Sequence, residues 1–180
     1  CDVDTIGVTS PLADADTVAT GILALESLGL DRFEVRIGHR GVLNALLRAA
    51  DIRDPAVQVT ALRILDKIDK VGSEAVTGML AAEQAIGLQR AADLVCRMQA
   101  AGDIATVAAS MPADDVEGRE GAAFLASALR MLGNMGLAGR IKLDLSIARG
   151  LDYYTGTVFE TVLLDLPEIG RASCRERVYS

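Results

Sequence analysis

Ile141-Lys-Leu-Asp-Leu-Ser-Ile147 puts Ile141, Leu143, Leu145 and Ile147 on one side of an extended chain and Lys142, Asp144 and Ser146 on the other. That period of two marks a half-buried strand. Its weight comes from what precedes it. From Asp54 to about Gly136 the alternation is absent, and alanine-rich helical segments follow one another, separated at Gly72, Gly87, Gly102 and Met111-Pro112. Further upstream Phe33, Val35 and Ile37 alternate with Glu34 and Arg36, again at the strand period. Sheet, helices and sheet again describe an α+β domain interrupted by an all-helical insertion. Residues 1–50 and 138–167 are assigned to the sheet domain and 51–137 to the insertion.

The flanking elements follow from local chemistry. Cys1 to Thr9 alternates acidic and β-branched residues and reads as a strand entered partway. Asp14 and Asp16 start a helix carried by Val18, Ile22, Leu25 and Leu28 and stopped by Gly29. Leu43, Leu46 and Leu47 mark a short helix up to about Ala50. Asp54 and Pro55 supply a cap and a first-turn proline for a helix with Val59, Leu62, Leu65 and Ile68 on its apolar face. Ser73 is the expected cap of the next helix. Thr157 to Leu164 is a strand by its β-branched and aromatic content.

Composition narrows the class. The 180 residues are 51% hydrophobic and 24% charged, close to the globular average and far from a disordered or low-complexity chain. The net charge of −7 offers no electrostatic footprint for nucleic acid. No apolar run reaches the roughly 18 residues that cross a bilayer, and Cys1 to Gly7 lacks the order of a signal peptide, so a cytoplasmic protein with no membrane contact is expected. Cys1, Cys96 and Cys174 are odd in number and widely spaced, unlike zinc or redox motifs. The single histidine, His39, is expected as a polar residue at a strand-to-helix junction rather than as a metal ligand or base.

Most of the chemistry lies in Arg149-Gly-Leu-Asp-Tyr-Tyr-Thr-Gly-Thr-Val-Phe-Glu160. Tyr153, Tyr154 and Phe159 are half of the chain's six aromatic residues. Adjacent tyrosines on an extended chain point to opposite faces, so extended geometry alone leads one to expect a single phenol in a given pocket, with the other packed or bonded elsewhere. Arg149, just beyond an apolar strand, could present a fixed fork to phosphate or carboxylate. A surface arginine and a structural turn would fit the same residues.

The segment resembles the histidine-specific motif of histidyl-tRNA synthetases. Cys1-Asp-Val-Asp-Thr-Ile-Gly7 resembles the tail of their class II motif 2 strand, and Phe33 to Leu47, with Arg36, His39-Arg40 and Leu43-Asn44, the strand and helix after it. Asp66-Lys-Ile-Asp-Lys70 is similar to a run in the family's insertion domain. The resemblance, which covers Cys1 to about Pro167, implies a class II antiparallel sheet with helices, ATP as a substrate with Mg2+ beside it, histidine and tRNA(His) as partners, and a homodimer. It places Asp4 against one side of the substrate imidazole and the Tyr154 phenol against the other, with Tyr153 lining the same pocket. Asp2, on the face of Asp4 by alternation, is expected to border the site or to be solvated or structural. The resemblance makes Arg149 the catalytic arginine that contacts the ATP α-phosphate and the histidine carboxylate. Asp152 and Glu160 are expected to be structural.

Two rivals stand beside this reading. A non-catalytic paralogue that regulates ATP phosphoribosyltransferase in histidine biosynthesis shares the fold; such paralogues tend to lose the Arg149–Tyr154 pattern, complete here. The helical interval could instead be an interaction module on a sheet support, which leaves Arg149 to Glu160 unexplained. Motif 1, the motif 2 arginine, motif 3 and the anticodon-binding domain are absent from these residues, so the chain alone is expected to be inactive. The tail from Glu168, with Arg171, Arg175 and Arg177 against one acidic residue after Glu168, reads as a translated sequencing adapter rather than native sequence.

Overall fold

Ser10 opens the first helix. Its hydroxyl accepts a hydrogen bond from Leu12 N at 3.2 Å and Pro11 sets the first turn, so α1 runs Pro11–Ser27 in the computed structural model, which describes residues 3–99, 103–147 and 155–165. The helix begins three residues before the Asp14 expected from charge, because the hydroxyl cap acts earlier. Gly29, at φ +77°, takes the left-handed conformation that lets Leu30 N reach back to Leu25 O at 3.1 Å.

A strand β1, Phe33–His39, leads directly into α2, Arg40–Ala49. His39 ends the strand and caps the helix, which therefore starts before Leu43. Asp54 accepts from Ala56 N and Val57 N ahead of α3, Pro55–Leu65. In α4, Ile68–Ala82, Gly72 sits at φ +85°, so the expected break is a kink between two helical pieces. Helices α5, Gly87–Gln99, α6, Ile104–Ala109, and α7, Val116–Asn134, follow. A 3-10 turn, Ala138–Arg140, enters β2, Ile141–Leu143, and β3 spans Thr157–Leu163.

The sheet has the order β2-β1-β3. Strand β3 lies antiparallel to β1, from Phe33 opposite Leu163 to His39 opposite Thr157, whereas β2 runs parallel to β1 with Val35 opposite Ile141. Alternation specifies faces and leaves strand direction open, so the parallel pair was not visible in it. Two expectations change. Residues 3–9 form no strand: a strand needs a ladder, and none of the three described strands pairs with them. The strand expected over Ile141–Ile147 stops at Leu143, because Asp144 turns the chain by accepting from Ser146 N at 2.9 Å.

One face of the sheet is apolar. Phe33, Val35, Ile37 and Phe159 pack with Ile22 of α1 and Leu125 and Leu132 of α7. A second cluster joins Leu43, Leu46 and Leu47 of α2 to Leu62, Leu65, Leu80 and Leu94 of α3, α4 and α5, and takes in Leu145. Each such leucine, fully buried, contributes about 1.5–3 kcal/mol. The core is thus continuous across residue 50. Close contact of α7 with α2 needs Gly118, where a Cβ would lie 2.3 Å from that of Ala45. Among the described residues no helix is long and apolar enough to cross a membrane.

Candidate functional site

Antiparallel pairing places directly opposed residues on one face, so Arg36 and Glu160 share the face turned away from the α1 and α7 packing. Glu34 and Gly38 of β1 and Val158 and Val162 of β3 belong to the same face by alternation. Arg36 is its hub. Its Nε donates to Glu34 Oε1 at 2.7 Å, and its Nη1 donates to Asp69 Oδ1 of α4 at 3.2 Å and to Asp144 Oδ2 at 3.4 Å. Lys142 Nζ stands 3.9 Å from Glu34 Oε1. Burial works against the Arg36 charge, but the bond to Glu34 and the fields of Asp69 and Asp144 hold its pKa above the ordinary arginine value. Glu160, opposite Arg36 in the ladder, is 2% exposed.

Asp144 links this hub to the backbone. Its N donates to Ile37 O at 2.9 Å, and its Oδ1 accepts from Ser146 N at 2.9 Å and from Ser146 Oγ at 2.5 Å. Only glycine fits at 38, since a Cβ there would lie 2.6 Å from Asp144 O. The turn at 144–146 is therefore fixed by a side chain, a ladder bond and a close backbone approach together.

Asp4 is exposed, in a segment without regular structure. Asp2, Arg149, Asp152, Tyr153, Tyr154 and the tail from Glu168 lie outside the described residues. The expected histidine-pocket residues are thus not brought together among the described residues. In the sequence Arg36 is marked only by the family resemblance of Phe33 to Leu47, and its role as a hub emerges with the fold. An arginine on the polar face of a strand, next to Glu34, was the available signal.

His39 is where the sequence put it. Its Nδ1 accepts from Gly41 N at 3.1 Å as the cap of α2, and its ring meets Phe124 at 5.9 Å between centroids. Gly121 leaves room for the ring: a Cβ there would lie 2.7 Å from Nδ1. An acceptor Nδ1 means a neutral imidazole. Burial pushes its pKa down to about 4, only partly opposed by Glu117. The folded pKa is below the unfolded one, about 6.5, so the stabilisation is complete above pH 6.5 and is lost as pH falls towards 4. Between pH 7 and pH 5 the full-length protein should lose about 2 kcal/mol that a His39→Asn variant, which keeps a capping acceptor, does not lose. Urea unfolding at the two pH values measures the difference; equal losses in both proteins would contradict it.

Comparison with known proteins covers nearly the whole chain. A family model described as histidyl-tRNA synthetase matches residues 3–170. The histidine–tRNA ligase of Rhodopirellula baltica is 39% identical over 176 residues, an alignment covering 94% of this chain and 39% of the relative. The crystal structure of histidyl-tRNA synthetase from Nostoc sp. PCC 7120 superposes with a TM-score of 0.80 at 26% identity, over 91% of this chain and 39% of that one. A protein from Bacillus halodurans described as an ATP phosphoribosyltransferase regulatory subunit/histidyl-tRNA synthetase superposes with a TM-score of 0.72 at 23% identity, over 88% of this chain and 41% of that one, a likeness of fold alone. The chain spans well under half the length of these relatives.

Proposed function

The chain belongs to the histidyl-tRNA synthetase family, and from that membership we propose that the full-length protein is a histidine–tRNA ligase whose histidine-recognising core these residues provide. The match of residues 3–170 to the family, taken with the intact Arg149 to Glu160 motif, carries the reading. The substrates are histidine, ATP and tRNA(His). Mg2+ accompanies ATP, held chiefly through the phosphates as this ion usually is. The protein works as a homodimer in the cytoplasm. The helical interval 51–137 is an insertion in chain order, docked on the sheet domain formed by 1–50 and 138–167.

The roles follow from the chemistry of the substrate. A neutral imidazole has one donor and one acceptor nitrogen, which the Asp4 carboxylate and the Tyr154 hydroxyl satisfy together, with Tyr153 lining the pocket. An amino acid without such a ring leaves both groups unpaired and is rejected. Arg149 places a planar, permanent cation beside the α-phosphate and the attacking carboxylate. These groups supply a histidine pocket and one phosphate contact.

Asp4→Ala and Tyr154→Phe in the full-length protein should each raise the Michaelis constant for histidine in ATP–pyrophosphate exchange about tenfold or more, the loss of one hydrogen bond to a desolvated partner. Unchanged constants in both variants would overturn the pocket assignment. The regulatory-subunit reading has the Bacillus halodurans fold likeness in its favour. It lacks a use for the complete Arg149 to Tyr154 pattern.

A further inference from the structure

We propose that Arg36 is a positioning residue for histidine adenylation: it holds the Asp144–Ser146 turn from which the chain runs on to Arg149, and ties that turn to α4 through Asp69. The inference rests on the proposed synthetase activity for its catalytic consequence, and on geometry alone for the hold on the turn. One guanidinium serves carboxylates from three places: Glu34 beside it on β1, Asp69 on α4, and Asp144 after β2. Asp69 is 33 residues away in sequence and Asp144 is 108. The Arg36 side chain is only 17% exposed, and Asp144 only 15%, so solvent screens this pair less than a surface bridge.

The charge balance makes the arginine more than an anchor. Among the described residues Arg36 meets three carboxylates, Glu34, Asp69 and Asp144, and Lys142 stands beside Glu34. Without Arg36, Asp144 would lose this cation and keep two carboxylates as neighbours, a repulsion that favours moving the turn off the sheet. Asp144 Oδ1 holds Ser146 N, so a displaced carboxylate releases the turn. Four residues separate Asp144 from Arg149, and a misplacement of about 1 Å at a reacting group can cost on the order of 100-fold in rate.

The same nitrogen, Nη1, donates to both Asp69 and Asp144. A shift of α4 therefore changes the bond that fixes the turn, which couples the helical interval to the activation step. This gives a use to Asp69 within the Asp66–Lys70 run. Arg36 itself is not assigned any contact with substrate, so its loss should act on turnover through Arg149 and spare histidine affinity.

The test uses the full-length protein and two readouts, hydrogen exchange at the Ser146 amide and histidine-dependent ATP–pyrophosphate exchange. Arg36→Gln should speed amide exchange at Ser146 at least tenfold while that of Ile22 in α1 stays the same, and lower kcat about 10- to 100-fold with histidine KM within about threefold. Arg36→Lys should restore part of both. Asp144→Asn, which keeps an acceptor for Ser146 N but weakens the bond to Arg36, should change both in the same direction and less strongly, and carries the test if Arg36→Gln does not fold. Unchanged Ser146 exchange, or faster exchange at full kcat, would overturn the proposal. If the wild-type protein shows no histidine-dependent exchange, the synthetase reading falls and the catalytic half of the proposal falls with it; the Ser146 amide still decides whether Arg36 holds the turn.

Discussion

Arg149→Ala in the full-length protein should lower the rate of histidine adenylation about 1000-fold while changing histidine affinity by less than about tenfold. The asymmetry comes from when the charge is needed. In the proposed ground state the α-phosphate and the carboxylate are separate anions whose charge other groups of the full-length protein would share. As the carboxylate oxygen approaches phosphorus, negative charge gathers on the crowded equatorial oxygens, and only a group already in place stabilises it without reorganisation. Arginine brings a planar fork to both anions. Lysine brings a single compact charge, so Arg149→Lys should recover little of the loss. Single-turnover measurements of adenylate formation, with histidine titrated, separate the two effects. Equal losses in rate and affinity would assign Arg149 to binding, and no loss would remove it from the site.

Asp115→Ala should cost about 3 kcal/mol of stability, a large effect for one side chain outside the apolar core. Arg48 grips this carboxylate with both arms of its fork, Nε to Oδ2 at 2.6 Å and Nη2 to Oδ1 at 2.7 Å. Oδ1 also accepts from Gly118 N at 3.0 Å and so caps α7. The Asp115 side chain is 7% exposed, so its loss leaves the Arg48 charge poorly paired; Arg48 at 27% lets water in and moderates the cost. Glu117, which meets the same arginine at 3.0 Å, is 57% exposed and should matter little. The bond to Arg48 holds the Asp115 carboxyl below the usual carboxylate range. Its contribution is therefore complete above the unfolded value, about 3.9, and is lost as pH falls through the lower folded value. The gap between wild type and Asp115→Ala in urea unfolding should persist from pH 7 to pH 5 and narrow only in stronger acid. A gap below 1 kcal/mol at pH 7 would contradict the assignment.

Local chemistry was legible in the sequence and distant pairing was not. The Asp54-Pro55 start of α3, the Gly72 break and the place of His39 follow from caps and backbone preferences that act over a few residues. The alternation in Phe33 to Ile37 gave the buried face of β1 correctly because one face of that strand meets α1 and α7. Cys1 to Thr9 has a strand composition too, but residues 3–9 have no described partner, and composition cannot supply one. Ile141 to Ile147 alternates throughout, yet the Asp144 carboxylate competes for the backbone and ends the strand at Leu143. The local half of the Arg36 hub, its pairing with Glu34 on the polar face of β1, could be suspected from the sequence; its long-range partners Asp69 and Asp144 could not, since each looks like an ordinary surface carboxylate until the fold brings them to one face.

Amino acid-dependent exchange of pyrophosphate into ATP, run on the full-length protein with each of the twenty amino acids in turn, decides whether it is a histidine–tRNA ligase. Exchange is expected with histidine and none above background with the others, because a pocket shaped for the ring pairs both imidazole nitrogens, in the proposed site with Asp4 and Tyr154. No exchange with histidine, in a protein that instead raises the activity of an ATP phosphoribosyltransferase, would contradict it.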